Sequence, residues 1–169
     1  MSLFLIAWTP AEGSKLMTYL DEKWCKEMNI PAEAYEHSIL TLDGDRDWLT
    51  DEEIHLIERC VMSEAGGQNV DTQEAVATVI LNRWQCPDKY GATISDVINA
   101  EGQFSTHDNG EPTVSVRLAV RNAIVYYNTY LMCIPREVLY FRAYRYHDFG
   151  VPYCTMQDLY FSTASDVLL

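Results

Sequence analysis

The residue best placed for acid–base chemistry is Glu64, at the end of a helix predicted to begin at Asp51. Ile54, Ile57 and Val61 recur at helical spacing, and a helical wheel puts Glu64 at the edge of their apolar stripe. The unpaired carbonyl groups of the last helical turn add negative potential there. Desolvation and this potential both favour the neutral carboxylic acid, which would then be able to donate a proton near neutral pH.

An ordinary structural role also accounts for Glu64. A glutamate at a helix end usually faces water or pairs with an arginine, and pairing with Arg83 or Arg59 would favour the ionised form. The position therefore makes Glu64 a candidate rather than an assigned residue. A carboxylic acid that keeps its proton near neutral pH meets the requirement for the general acid of glycosidic bond cleavage.

Two helices would position this residue. Thr50 and Glu53 have the spacing of a capping box at the start of the first helix, and Gly66 with Gly67 ends it. A second helix is predicted to open with Asp71 as its cap. Its interior, residues 75–81, is apolar nearly all round and predicts a buried central helix. Because residues 75–81 include several β-branched side chains, a buried strand is the competing interpretation, but the caps and the length favour a helix.

The rest of the chain predicts further helices and then strands. The predicted elements are a short helix near residues 95–99, a long helix over 116–130, and two short strands at 138–141 and 159–161, joined by a loop with Gly150 and Pro152. The fold class is therefore α+β, a mainly helical domain over residues 49–169 with a small C-terminal antiparallel sheet. Residues 1–48 are predicted to be a helical N-terminal extension, because helix-start and helical-periodicity signals recur there.

Composition and spacing disfavour several partners. A net charge of −13, from 25 acidic and 12 basic residues, disfavours nucleic acid binding. The five cysteines lack CxxC spacing and the four histidines lack ligand spacing, so neither a metal nor another cofactor is predicted. The segment from Asp43 to Asp47 resembles a calcium loop, but Trp48 and Ile54 stand where that loop requires Gly and Glu. A solvated turn is the better interpretation.

The N-terminal segment gives no membrane or export signal. Residues 3–8 are apolar but too few to span a bilayer, and they lack the basic start and cleavage site of a signal peptide. No membrane span is therefore predicted, and the route of export is left open.

Three motifs in one order resemble the SleB/CwlJ-type cell wall hydrolases, the spore cortex-lytic enzymes and their relatives. They are SEAGGQ at residues 63–68, QEAVATVILNR at 73–83 and GQFS at 102–105. Weaker matches are the aromatic pairs at 140–141 and 160–161, and residues 142–154 follow the family pattern poorly. The resemblance implies a lysozyme-like catalytic domain that acts on the glycan strands of peptidoglycan, in the cell wall or spore cortex. We expect a monomer.

In that family, the glutamate of the first motif is the catalytic acid, which corresponds here to Glu64. The resemblance implies a lytic transglycosylase, in which the 6-hydroxyl of N-acetylmuramic acid attacks its own anomeric carbon to give a 1,6-anhydro product. Candidate substrate-binding residues, which would hydrogen-bond or stack on sugars, are Gln103, Phe104, Ser105, Tyr140 and Tyr160. Candidate structural supports are Asn82, Arg83 and Gly66, with Asn82 expected to hold the loop after Glu64 rather than to touch sugar.

Two other functions stay open. A water-using hydrolase needs a second carboxylate at a defined distance from the acid. The candidates are Asp71, Asp96, Glu101 and Asp108. Asp71, together with Glu74, is better explained as a helix cap. The second alternative is a non-catalytic wall-binding or phage structural protein that retains the fold.

Overall fold

The structure is a computed structural model that describes residues 49–104, 110–127 and 132–164. The predicted N-terminal extension over residues 1–48 and the turn at 43–47 lie outside the described residues. So do Ser105 and Asp108.

In the described part of the chain, helices come first and a small sheet follows. In order, the elements are α1 (Asp51–Ala65), α2 (Val70–Trp84), α3 (Pro87–Tyr90), α4 (Ile94–Asn99), α5 (Val114–Tyr126), β1 (Val138–Ala143), β2 (Val151–Met156) and β3 (Leu159–Thr163). The predicted class is confirmed, because this is a mainly helical α+β domain with a small antiparallel sheet at its C-terminal end. None of the described helices is long and apolar enough to cross a membrane.

Helix α1 starts and ends where the sequence predicts. The Thr50 hydroxyl accepts from the Glu53 amide at 3.2 Å, and the Glu53 carboxylate accepts from the Thr50 amide at 2.9 Å. At the other end, Gly66 follows Ala65 with a right-handed φ of −58°. A Cβ on Gly66 would lie 2.5 Å from the Met62 carbonyl oxygen. Close packing, rather than the left-handed turn expected of a terminal glycine, therefore favours glycine here.

Helix α2 is the buried centre of the domain. All residues from Thr72 to Arg83 are buried, and the helix packs against α1, α4, α5 and β1. The predicted cap, however, is wrong. Asn69 is the N-cap and its side chain accepts from the Thr72 amide at 2.9 Å, whereas Asp71 is exposed in the first turn. Asn caps as well as Asp, and the earlier cap lets the helix include Val70.

Helix α5 is shifted relative to its prediction. It starts two residues early, because Thr113 caps it and accepts from the Val116 amide. It ends at Tyr126 rather than at residue 130, since Tyr127 has an extended ψ of 134°. The Tyr127 hydroxyl donates to Asn82 at 3.1 Å, so a tertiary contact ends the helix inside an apolar periodic run.

The sheet has three strands rather than the two predicted. Its order is β1-β3-β2, and both neighbouring pairs are antiparallel. The missed strand β2 contains Pro152, which led to the prediction of a loop. Because β2 is an edge strand, the missing N–H of Pro152 does not break the sheet, and a register shift follows it before Cys154.

Strand register separates the aromatic residues of the sheet onto two faces. Phe141 pairs with Phe161, and the Phe161 side chain is fully buried in the core. Arg142 pairs with Tyr160, so Tyr160 shares a face with Arg142 and with Tyr140, two residues away on the same strand. The sheet therefore presents Tyr140 and Tyr160 on the face opposite to the half-buried Phe141 and the buried Phe161.

Candidate active site

Glu64 lies in the last turn of α1 and is half-buried. Ile57 and Val61 are fully buried on the same helix, as the predicted stripe requires. The charge of Glu64 affects the pKa values of two neighbouring groups, Cys60 and Arg83. Burial first, and then the Glu64 carboxylate, raises the pKa of the Cys60 thiol. Burial lowers the pKa of Arg83, while the Glu64 charge acts in the opposite direction. Glu64 and Arg83 are therefore within electrostatic range of each other.

The loop that follows Glu64 is held by Gln73, a residue that the sequence analysis did not single out. Gln73 is fully buried in the first turns of α2. Its amide nitrogen donates to the carbonyl oxygens of Ala65 at 3.1 Å, Gly66 at 3.4 Å and Gln68 at 3.0 Å. An amide buried in an apolar helix needs such partners, and that requirement was the available signal.

A second residue ties the same loop to the sheet. Gln157 lies between β2 and β3 with a left-handed φ of 48°. Its side-chain oxygen accepts from the Asn69 amide at 2.6 Å and from the Thr72 hydroxyl at 3.2 Å. These contacts join residues more than 80 positions apart, and no local pattern in the sequence indicates them.

Arg83 brings three of the predicted site residues together. It is 5% exposed, and its Nε donates to the Leu139 carbonyl at 2.7 Å. Its terminal nitrogen donates to the Gln103 amide oxygen at 3.2 Å. The guanidinium lies 4.6 Å from the centre of the Phe104 ring and 6.0 Å from that of Tyr140. We call the group Arg83, Gln103, Phe104 and Tyr140 the arginine wall.

The Tyr140 hydroxyl has an unusual electrostatic environment within this wall. The Lys89 ammonium group donates to it at 2.5 Å. Burial raises the pKa of Tyr140, but the hydrogen bond from Lys89 and the nearby positive charges outweigh burial, so the net pKa is lowered. For Tyr90 the balance is reversed, and burial raises its pKa to about 12. Tyr140 is therefore the phenol better suited to accept a hydrogen bond.

Asn82 has partners that differ from those predicted. Its amide nitrogen donates to the carbonyls of Pro135 at 3.0 Å and Val138 at 2.9 Å, and its oxygen accepts from the Tyr127 hydroxyl. These bonds fasten the start of β1, whereas the loop after Glu64 is held by Gln73. Asn82 therefore acts on the opposite end of α2 from the one expected.

The remaining predicted residues are less closely gathered. The Tyr160 ring meets Tyr146 edge-on, with 5.0 Å between ring centres, on the outer face of the sheet. Gly66 contributes its carbonyl oxygen to Gln73. Ser105 lies outside the described residues.

The other carboxylates divide into exposed and buried groups. Asp96 is fully exposed and caps α4, and hydrogen bonds from Thr93 lower its pKa. Asp71 and Glu101 are exposed. Glu58 and Glu74 are buried, and burial raises the pKa of each. The predicted capping role of Glu74 is wrong, because Asn69 caps α2 and Glu74 lies inside the helix. Among the described residues, no group of three or more His, Cys, Asp or Glu side chains is arranged to hold a metal ion.

The fold and the site define a class of protein: a mainly helical domain in which a half-buried helix-end carboxyl lies near a buried arginine that gathers amide and aromatic side chains. The family model described as Cell Wall Hydrolase matches residues 67–154, just over half of the chain. The chain belongs to this family, and membership supports an enzyme that acts on peptidoglycan. The match begins three residues after Glu64 and includes residues 142–154, where the motif comparison was weak.

The fold is similar to a solved structure, the crystal structure of the catalytic domain of the Bacillus cereus SleB protein. The TM-score is 0.57 at 22% identity, over 71% of this chain and 99% of that chain. The family match confirms the resemblance to the cell wall hydrolases, and the structural likeness supports the fold. No curated protein matches the sequence.

Proposed function

We propose that this protein cleaves peptidoglycan glycan strands between N-acetylmuramic acid and N-acetylglucosamine, with Glu64 as the single general acid and a 1,6-anhydro product. The observation that carries the proposal is the setting of Glu64. This residue is half-buried in the last turn of α1, it is followed by a loop that Gln73 locks through three carbonyls, and it lies within electrostatic range of the arginine wall. A general acid must be held firmly against its substrate, and this setting provides such a hold.

The proposed reaction needs no second carboxylate. The Glu64 carboxyl donates its proton to the oxygen that links the two sugars, and the bond from this oxygen to the anomeric carbon of the muramic residue breaks. The 6-hydroxyl oxygen of the same muramic residue forms a new bond to that carbon. The hydroxyl proton returns to the Glu64 carboxylate, so the acid is regenerated and no water is consumed.

In this proposal, the arginine wall binds the sugars on either side of the cleaved bond. The Gln103 oxygen is already bonded to Arg83, which orients the amide so that its nitrogen can donate to an N-acetyl or hydroxyl oxygen. The Tyr140 ring is half-buried and offers a surface on which a pyranose can stack. The positive charge of Arg83 remains in place, because a guanidinium keeps its proton in proteins.

A true hydrolase is the second candidate function, and the carboxylates weigh against it. Such an enzyme needs a second carboxylate free to activate water. The Asp96 carboxylate accepts from the Thr93 amide at 3.0 Å and is used by its helix cap. Asp71 and Glu101 are exposed to solvent, whereas a catalytic base is usually held in a buried setting.

Product analysis tests the proposal. The purified protein is incubated with vegetative sacculi and with spore cortex, and the released fragments are identified by mass. We expect anhydro-muropeptides from the wild type and none from Glu64→Gln. The matched control, Glu101→Gln, removes an exposed carboxylate and should cleave at the wild-type rate. Reducing ends would favour the hydrolase, and no cleavage would favour a non-catalytic wall-binding protein. Full activity in Glu64→Gln would remove Glu64 from the mechanism.

A further inference from the structure

Exposed hydrophobic side chains of the described residues are concentrated in one segment. The large ones lie at Tyr144, Phe149, Val151 and Tyr153, between the end of β1 and the middle of β2. Exposed hydrophobic residues are normal on protein surfaces, so exposure alone does not mark a binding surface.

Phe149 differs from its neighbours because its ring is exposed and also held in place. It is 55% exposed, and its ring stacks on His147 with 4.6 Å between ring centres and an interplanar angle of 25°. The Tyr140 ring meets it nearly at right angles, at 5.2 Å. A hydrogen bond of 3.1 Å joins the His147 Nε2 to the Phe141 carbonyl and fixes the imidazole. One face of Phe149 is covered by His147, so the opposite face is available to a ligand.

The backbone of this loop is fixed at both ends. Gly150 has a φ of 81°, and a Cβ there would lie 2.5 Å from the Thr163 carbonyl oxygen. Only glycine permits this conformation and so close an approach to β3. Near the other end, the Tyr146 hydroxyl is hydrogen-bonded to that of Thr155 at 3.1 Å. The Phe149 ring is thus preorganised, which lowers the entropic cost of binding.

Phe149 is also continuous with the arginine wall. Tyr140 contacts Phe149 on one side, and its hydroxyl and ring reach Lys89 and Arg83 on the other. We propose that the exposed ring of Phe149 is an aromatic platform for a pyranose ring of the glycan strand, outside the two sugars whose bond is cleaved. The platform rests on the proposed function for its ligand, but not on the role of Glu64.

The chemistry favours a sugar ring over the anionic peptide stems of peptidoglycan. The C–H groups on one face of a pyranose can lie against the electron-rich face of an aromatic ring. The N-acetylglucosamine units of the strand are uncharged and suffer no repulsion from a protein with a net charge of −13, whereas an anionic peptide does.

Binding to defined, peptide-free glycan oligosaccharides tests the platform by calorimetry. The measurements use the Glu64→Gln protein, so that turnover does not consume the ligand. Adding Phe149→Ala should weaken binding about three- to tenfold, the range expected for an aromatic contact. Phe149→Leu should bind as weakly as the alanine variant, because it keeps apolar bulk without a ring face. Phe149→Trp should restore the affinity, and all variants should keep the parent melting temperature.

The matched control is Tyr153→Ala, which removes an aromatic side chain of similar exposure from β2. Its affinity should equal that of the parent. An unchanged affinity in Phe149→Ala, an equal loss in Tyr153→Ala, or no glycan binding by the parent protein would each overturn the platform.

Kinetics of the otherwise wild-type enzyme separate the two proposals. Phe149→Ala should raise KM with little change in kcat, because the platform binds substrate and transition state alike. If the wild-type protein does not cleave glycans but Phe149→Ala still loses affinity for them, the proposed function fails and the platform stands.

Discussion

Both ends of helix α2 carry buried polar side chains, but the side chains at each end are hydrogen-bonded to different parts of the chain. At the N-terminal end, Gln73 bonds to carbonyls only five to eight residues away, in the loop after Glu64. At the C-terminal end, Asn82 and Arg83 bond to carbonyls 53 to 56 residues away, at and before the start of β1. The proposed acid is thus positioned largely by local structure, whereas the arginine wall exists only once the sheet has packed onto α2.

This difference has a functional consequence. A change at the N-terminal end should disturb the acid and leave sugar binding intact, so it should act on kcat. A change at Arg83, at the C-terminal end, should disturb binding and stability together, because its bonds build the arginine wall and also join β1 to α2. Variants at the two ends should therefore differ in kind as well as in size.

The largest effect is expected for Arg83→Met. It leaves the Leu139 carbonyl and the Gln103 amide without their donor and removes the cation from the aromatic rings. We expect a loss of about 2–4 kcal/mol in the free energy of unfolding, from the lost bonds and the lost cation–π contacts. The value of kcat/KM on glycan strands should fall by about 100-fold or more, since a small misplacement of the sugar costs about that much.

Urea unfolding and initial rates, measured below the melting temperature, check this prediction. Arg83→Lys should not rescue the protein, because an ammonium group cannot reproduce the fork of the guanidinium. The control Arg145→Met removes a positive charge from an exposed position and should behave as wild type. Near-normal activity in Arg83→Met would mean that the arginine wall does not bind substrate.

Gln73→Leu should act on catalysis without affecting binding. The change removes three hydrogen bonds to the loop after Glu64, and it should cost about 1–3 kcal/mol of stability because buried carbonyls lose their donor. The value of kcat should fall about tenfold or more while KM stays within about twofold, as for an interaction felt only in the transition state. The control Gln85→Leu lies at the exposed C-terminal cap of the same helix and should change neither constant. A rise in KM in Gln73→Leu would contradict the prediction that the N-terminal end of α2 affects catalysis and not binding.

Asn82→Ala separates structure from function at the C-terminal end. Its amide holds the start of β1 and has no described contact with the side chains of the arginine wall. The variant should lose about 1–3 kcal/mol of stability, from the unsatisfied Pro135 and Val138 carbonyls. The value of kcat/KM per folded molecule should stay within about threefold of wild type when the rates are measured well below the melting temperature. A loss as large as that of Arg83→Met would make Asn82 part of the site.

The contrast between near and distant contacts also explains which features the sequence predicts. The start of α1 was predictable because Thr50 and Glu53 are three residues apart and form a closed local motif. The burial of α2 followed from its apolar run. The start of α2 was wrong by only two residues, since Asn69 and Asp71 are both good caps and local rules do not rank them.

Long-range features were not predictable in the same way. Strand β2 was missed because Pro152 argues against a strand unless that strand is known to be at the edge of the sheet. The arginine wall was predicted only as separate residues, because Arg83 and Leu139 meet through packing and not through spacing. The hydrogen bond from the Asn69 amide to Gln157 was missed for the same reason.

The smallest effect is expected for Glu74. It tests whether two adjacent buried residues at the N-terminal end of α2 have different roles. Glu74 adjoins Gln73 but is hydrogen-bonded to Asn122 and Cys133, and burial raises its pKa. The folded state therefore holds the proton of Glu74 more tightly than the unfolded state does. This contribution to stability is fully present below the unfolded pKa of about 4.3 and is lost as the pH rises through the higher folded value. At neutral pH the titration of Glu74 thus lowers stability relative to acid pH, a loss that a neutral side chain of the same shape would avoid.

Glu74→Gln should accordingly raise the melting temperature by a few degrees at pH 7.5, and the gain should disappear near pH 3.5, where the wild-type carboxyl is neutral as well. The control Glu101→Gln changes an exposed carboxylate and should show no such pH-dependent gain. A lower melting temperature of Glu74→Gln at pH 7.5 would mean that the ionised form is the one the fold stabilises. An unchanged kcat in Glu74→Gln, against a reduced one in Gln73→Leu, would show that two adjacent buried residues serve different purposes: Gln73 orients the loop after Glu64, and Glu74 only joins α2 to α5 and its connection to the sheet.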